Sequence, residues 1–163
     1  MEDRACMDDL LAGVEGLRLA VWVRTGAWPF AIANTAHVVG IALLFGGIAV
    51  LDLRLLGAAR AIEVARLARL VLPVAVFGFV LAVITGALMF IANAREYWAH
   101  PLFAWKLALI AAAGANALLL HLTSWRERER WGARAPLSAR SAAILSLGLW
   151  LGVIACGRLM AYL

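Results

Sequence analysis

Charge is scarce over most of this sequence. None occurs between Phe30 and Leu51, where the one ionisable residue is His37, and none between Leu70 and Ala94. Asp, Glu, Lys and Arg make up 15% of the 163 residues, against 65% hydrophobic. A water-soluble domain of this length needs far more polar surface, so the chain reads as an integral membrane protein. Alternation of apolar and polar residues is also missing, and continuous apolar runs exclude a β-barrel. Cysteine is limited to Cys6 and Cys156, with no CxxC pair and no c-type haem attachment run. No G-x-S-x-G, P-loop, H-E-x-x-H or dinucleotide fingerprint is present, and no repeat of solenoid type. The first nine residues are net acidic, where a secretory leader begins basic, so the spans themselves are expected to direct insertion.

What charge there is comes mainly from arginine, and the net formal charge is +5. The arginines gather at the ends of the apolar runs. That placement indicates anchoring at a membrane surface and argues against nucleic-acid binding. The expected fold is all-α: an integral membrane four-helix bundle preceded by an amphipathic interfacial helix. Residues 1–28 form the N-terminal amphipathic segment, in which Leu10, Val14, Leu17 and Val21 make one apolar stripe over residues 10–24. Residues 29–163 form the four-span domain, with spans at about 30–56, 70–94, 102–124 and 140–162. Pro73 falls in the first turn of the second span, where a missing N–H is tolerated. Gly78, Ala82 and Gly86 form a small-residue ridge that admits a neighbouring helix. Lys106, in the third span, is long enough to snorkel outward.

Loop charges give the orientation. The loop after the first span and the loop after the third carry Arg54, Arg60, Arg66, Arg69, Arg126, Arg128, Arg130, Arg134 and Arg140. The opposite side carries fewer cations, mixed with acids. The positive-inside rule puts the arginine-rich side in the cytoplasm and both termini outside.

Three histidines are the candidates for chemistry: His37, His100 and His121. A b-type haem in a membrane is held by histidines that project into a bundle at one depth. His37 lies roughly 12 Å below the outer end of its span and His121 roughly 28 Å below the same side. Metal–nitrogen bonds are about 2 Å long, so these two serve separate sites or only one serves a site. His100, in the outer loop before Pro101, pairs with His37 if it dips inward. Met89, Met160 and Cys156 lie on the same outer side and make a copper or His/Met site the alternative. In each case the plainer reading is structural: a histidine bonded to a neighbouring helix, and thioethers that pack. Small residues follow His37 at Gly40 and Gly47, and precede His121 at Gly114 and Ala117. They leave room for a flat cofactor or let helices approach closely. Asp52 is expected to pair with an arginine, Arg54, Arg126 or Arg140 being in reach of the topology, as a clamp at the bundle end. The alternative for Asp52 is a quinone head-group site near His121. Arg158 is expected either to snorkel or to pair a haem propionate.

The stretches AHVVGIALLFGGIAVLDLRLLG, FAWKLALIAAAGANALLLH and SLGLWLGVIACGRLMAYL resemble a bacterial domain-of-unknown-function family of small four-helix membrane proteins, over about residues 30–163. The features that carry the resemblance are His37, Gly40, Asp52, Arg54, Asn116, His121, Gly157 and Arg158; His100 departs from the pattern. The family is distantly similar to copper-resistance D-type proteins and four-helix membrane b cytochromes. The resemblance implies a bacterial inner-membrane protein with haem or copper chemistry. The function expected is electron transfer through one or two b haems held by His37 and His121, with a quinone or another redox protein as partner. The alternatives are a copper-handling protein and a non-enzymatic subunit with structural histidines, and the small-residue ridges are compatible with a homo-oligomer.

Overall fold

The structure is a computed structural model that describes residues 2–123, 125, 128, 131 and 134–162. Its elements among the described residues are α1 (Glu2–Glu15), α2 (Arg18–Thr25), α3 (Ala27–Leu56), α4 (Val64–Ala92), α5 (Ala94–Ala99), α6 (Pro101–Leu122) and α7 (Leu137–Leu159). Four of these, α3, α4, α6 and α7, are long and apolar enough to cross a membrane. The protein is a multi-pass helical bundle whose outer faces meet lipid. At 1.5 Å per residue α3 is about 45 Å long, so it extends beyond the ~30 Å of bilayer hydrocarbon.

The N-terminal stretch forms two helices rather than one over residues 10–24. Gly16 and Leu17 separate them, and Leu17 has an extended ψ of 140°. Leu10, Leu17 and Val21 of the apolar stripe are exposed, while Leu11, Ala20 and Val23 face the protein. The stripe is therefore free to rest on lipid. Glu15 pins this segment to the bundle. Its carboxylate accepts from the Arg95 backbone N–H at 2.9 Å and the Arg95 guanidinium at 2.8 Å, with Arg24 at 4.0 Å. Those hydrogen bonds from Arg95 hold the Glu15 carboxyl below the usual carboxylate range. Beside this clasp Phe90 stacks on Phe103 with ring centroids 5.3 Å apart, and Tyr97 packs against both. Burial pushes the Tyr97 hydroxyl up, and Glu96 adds to the shift.

Glycine sets the closest helix pair. A Cβ on Gly78 would sit 2.5 Å from the Leu44 nitrogen and 2.7 Å from the Gly40 oxygen. A Cβ on Gly40 would in turn meet the Ala82 nitrogen at 2.8 Å. The backbones of α3 and α4 touch, which only glycine permits. Pro73 stands inside α4, not in its first turn, because the helix begins at Val64. It gives up the hydrogen bond to the carbonyl four residues back. Gly57, at φ 113°, ends α3 in the left-handed conformation that favours glycine.

The second close pair is α6 with α7. There Asn116 Nδ2 donates to the Ala142 carbonyl at 2.9 Å. The pairs join through α3 and α7, while α6 packs little against α3 or α4. The bundle therefore has an open seam between α4 and α6. Its apolar core lies at the arginine-rich end, where Leu51, Leu55, Val64 and Ala68 meet Trp125, Ala139 and Ala143.

Candidate functional site

The open seam holds a cleft of about 340 Å³. Its back wall is α3, at Leu44, Ile48 and Asp52; α4 contributes Phe79 on one side and α6 contributes Gly114 on the other. Phe79 and Gly114 belong to outward faces of the bundle, so the cleft opens sideways toward lipid. His121 and Trp125 mark its end at the arginine-rich side, and Trp150 of α7 reaches in from the deeper end. The volume falls at the lower end of the range for small-molecule sites, about 300–1,000 Å³.

Asp52 is the acidic group in this cleft. It is 5% exposed, and the Ser146 hydroxyl of α7 lies beside its carboxyl group. Its Oδ2 has no hydrogen-bond partner among the described residues. The ion pair expected with Arg54 does not form. Residues two apart on a helix point away from each other, so Asp52 faces the cleft and Arg54 the opposite side. Arg54 donates instead to the carbonyls of Ile62 at 2.6 Å and Arg60 at 3.3 Å, which holds the turn between α3 and α4. Of the other arginines expected near Asp52, Arg126 lies outside the described residues, and Arg140 makes no ion pair among them.

The histidines are not brought together. His37 Nδ1 lies 2.9 Å from the Ala82 carbonyl and 3.1 Å from the Thr85 hydroxyl. A carbonyl only accepts, so Nδ1 carries the proton and donates, while Thr85 spends its own hydrogen on the Leu81 carbonyl at 2.6 Å. The imidazole lies against Gly86, where a Cβ would approach its Cε1 to 3.0 Å. His37 thus ties α3 to α4 and leaves Nε2 as the basic nitrogen. His100 Nδ1 accepts from the Leu102 N–H at 3.2 Å and caps α6. His121 stands in the last turn of α6, about 15 Å deeper than His37 from the outer helix starts.

The remaining candidates fall in separate places. Arg158 snorkels: its Nη2 donates to the Tyr162 hydroxyl at 2.7 Å and its guanidinium lies 5.0 Å from that ring. Lys106 turns inward rather than out. Its Nζ lies 3.5 Å from where a Gly157 Cβ would be, within electrostatic reach of His37 and Cys156. Met89, Cys156 and Met160 are half-buried. No group of three or more His, Cys, Asp or Glu residues placed to hold a metal ion occurs among the described residues.

The two small-residue faces have opposite fates. The α4 backbone fills the space beside Gly40 and Gly47, whereas a Cβ at Gly114 would meet nothing within 4 Å. Sequence reasoning missed Ser146 and Thr85. Each is a lone hydroxyl in an otherwise apolar stretch, and each sits beside an ionisable residue of α3, Thr85 at His37 and Ser146 at Asp52. That pattern was the available signal. No family model matches the chain, and no curated protein and no solved structure is similar to it.

Proposed function

We propose that this protein is an inner-membrane module that receives a small lipid-soluble molecule from the bilayer in the cleft between α4 and α6. The observation that supports it is Asp52: a carboxylate 5% exposed, with one oxygen unpartnered, on the wall of a cleft open toward lipid. An unpaired polar atom held away from water costs roughly 1–3 kcal/mol, more for a charge, and an occupant that hydrogen-bonds Oδ2 offsets that cost. A quinone head group in its reduced form is one such molecule. With the arginine-rich side in the cytoplasm, the cleft opens into the inner leaflet and both termini lie outside. The test is labelling in proteoliposomes with an apolar diazirine probe. Labelling should reach Trp150 inside the cleft, and Gly114→Leu, which narrows the cleft, should reduce it there while leaving the outward-facing Phe77 labelled. Unchanged labelling of Trp150 relative to Phe77 in the two proteins contradicts the proposal.

A second reading is haem-based electron transfer through His37, in line with the resemblance to four-helix b cytochromes. What favours it is the Nδ1–H bond to the Ala82 carbonyl, because a bonded Nδ1 orients an imidazole to ligate through Nε2. A bis-histidine haem within one chain does not fit, since His121 is about 15 Å away in depth and His100 caps α6. Haem would then be held by His37 alone or with a different second ligand, and would supply one-electron chemistry. Copper has the same single nitrogen on offer, with no three-residue His/Cys/Asp/Glu set assembled among the described residues. A Soret band from the haem-replete preparation that His37→Ala removes supports this reading. A colourless, folded preparation refutes it.

A further inference from the structure

The walls of the cleft define the chemistry of an occupant more narrowly than its opening does. From here the reasoning rests on the cleft being a binding site. Its polar groups are Asp52, Ser146, Asn116 and His121. Ser146 is engaged with Asp52, and Asn116 Nδ2 with the Ala142 carbonyl. Neither lysine nor arginine lines the cleft among the described residues. Among the described residues the buried carboxyl therefore has no counter-charge beside it. Arg54, the nearest cation in sequence, is turned the other way: its Nε and Nη2 donate to loop carbonyls, and its Nη1 is buried without a partner among the described residues. The rest of the lining is aliphatic or aromatic, with Phe79, Trp125 and Trp150 presenting rings. Aromatic faces attract cations through their quadrupole, and a desolvated carboxylate attracts them more strongly.

We infer that the cleft selects a lipophilic amine in its protonated form: an apolar or aromatic body seated between Phe79 and Trp150, with one ammonium N–H donating to Asp52 Oδ2. An anionic lipophile is excluded by the same carboxylate. A neutral hydroxyl compound such as a quinol satisfies Oδ2 but brings no charge, and so binds more weakly.

The probes are three molecules with one body: 1-naphthylmethylamine, the neutral 1-naphthylmethanol, and 1-naphthoate. Binding to the full-length protein in lipid nanodiscs is read by quenching of tryptophan fluorescence and by equilibrium dialysis at pH 7. The amine should bind at least tenfold more tightly than the alcohol, and naphthoate most weakly. Asp52→Asn keeps a group that accepts from Ser146 but removes the charge. It should bring amine and alcohol within about twofold of each other while the helical circular dichroism is unchanged. Gly114→Leu should weaken both. If the alcohol matches the amine in the wild type and Gly114→Leu weakens both, the cleft is a binding site and the amine assignment is wrong. If neither binds, or if the seam is closed by a second copy of the chain as shown by a dimer that Gly114→Leu disrupts, the amine assignment and the cleft reading fall together.

Discussion

Gly78→Ala adds one methyl group, and the structure fixes where it goes. The new Cβ lies 2.5 Å from the Leu44 nitrogen, 2.7 Å from the Gly40 oxygen and 2.8 Å from the Leu43 Cβ. Two of these are backbone atoms of α3, so no side chain can swing away. The two helices must separate by something close to 1 Å, given ordinary contacts of about 3.5 Å. Overpacking of this kind costs about 1–3 kcal/mol. Separation also stretches the bond from His37 to the Ala82 carbonyl, worth roughly another 1 kcal/mol at most. Alanine is the better helix former by about 1 kcal/mol, which offsets part of the loss. The net expectation is destabilisation of about 1–3 kcal/mol. Gly114→Ala is the matched control: its Cβ meets nothing within 4 Å, so only the propensity gain operates and the sign reverses. Reversible unfolding in mixed micelles, monitored by helical circular dichroism, compares the two on one scale. Equal stability of Gly78→Ala and Gly114→Ala would refute the close α3–α4 contact.

Further expectations concern other contacts. His37→Ala should destabilise by about 1 kcal/mol through loss of the bond to Ala82, more if its space stays empty, as read by the same unfolding assay. Asn116→Leu removes the tie from α6 to α7 and should cost about 0.5–1 kcal/mol, the usual worth of a hydrogen bond between membrane helices. Glu15 has a depressed carboxyl, so its contribution is present above the ordinary carboxylate value of 4.5 and is lost as pH falls through its lower value in the folded protein. Protection factors of the α1 amides should therefore fall on acidification below that range, and Glu15→Gln should show low protection already at pH 7. Leu55→Ala, at a side chain 1% exposed in the apolar core, should cost about 2–5 kcal/mol in the unfolding assay.

The four crossing helices were legible because length and unbroken hydropathy are properties of a local window. Their ends were less so: α4 begins at Val64, several residues before the uncharged run, so its first turns carry Arg66 and Arg69, with Arg66 paired to the N-cap residue Glu63. The candidate site was legible only as residues. Asp52 and His121 stand out by charge type in an apolar sequence, but what Asp52 faces depends on which side of α3 packs where. Of the arginines within reach of Asp52 by topology, Arg54 fails on helix geometry alone. The faces beside His37 and His121 look alike in sequence, with glycine and alanine at helical spacing. One is filled by the α4 backbone and the other is open, because α4 stays against α3 and does not close on α6. That choice of neighbours is made by the whole bundle. Lys106 shows the same limit, since a long side chain near a helix end reaches either water or the seam beside Gly157.

We propose that the seam between α4 and α6 takes up a molecule from lipid at Asp52. The most direct test is a side-by-side binding isotherm of 1-naphthylmethylamine on the wild type and Gly114→Leu in nanodiscs, with the thermal midpoint of each recorded. Saturable binding to the wild type, weakened at least tenfold in an equally stable Gly114→Leu, is the expected result. Identical isotherms for the two proteins would contradict it.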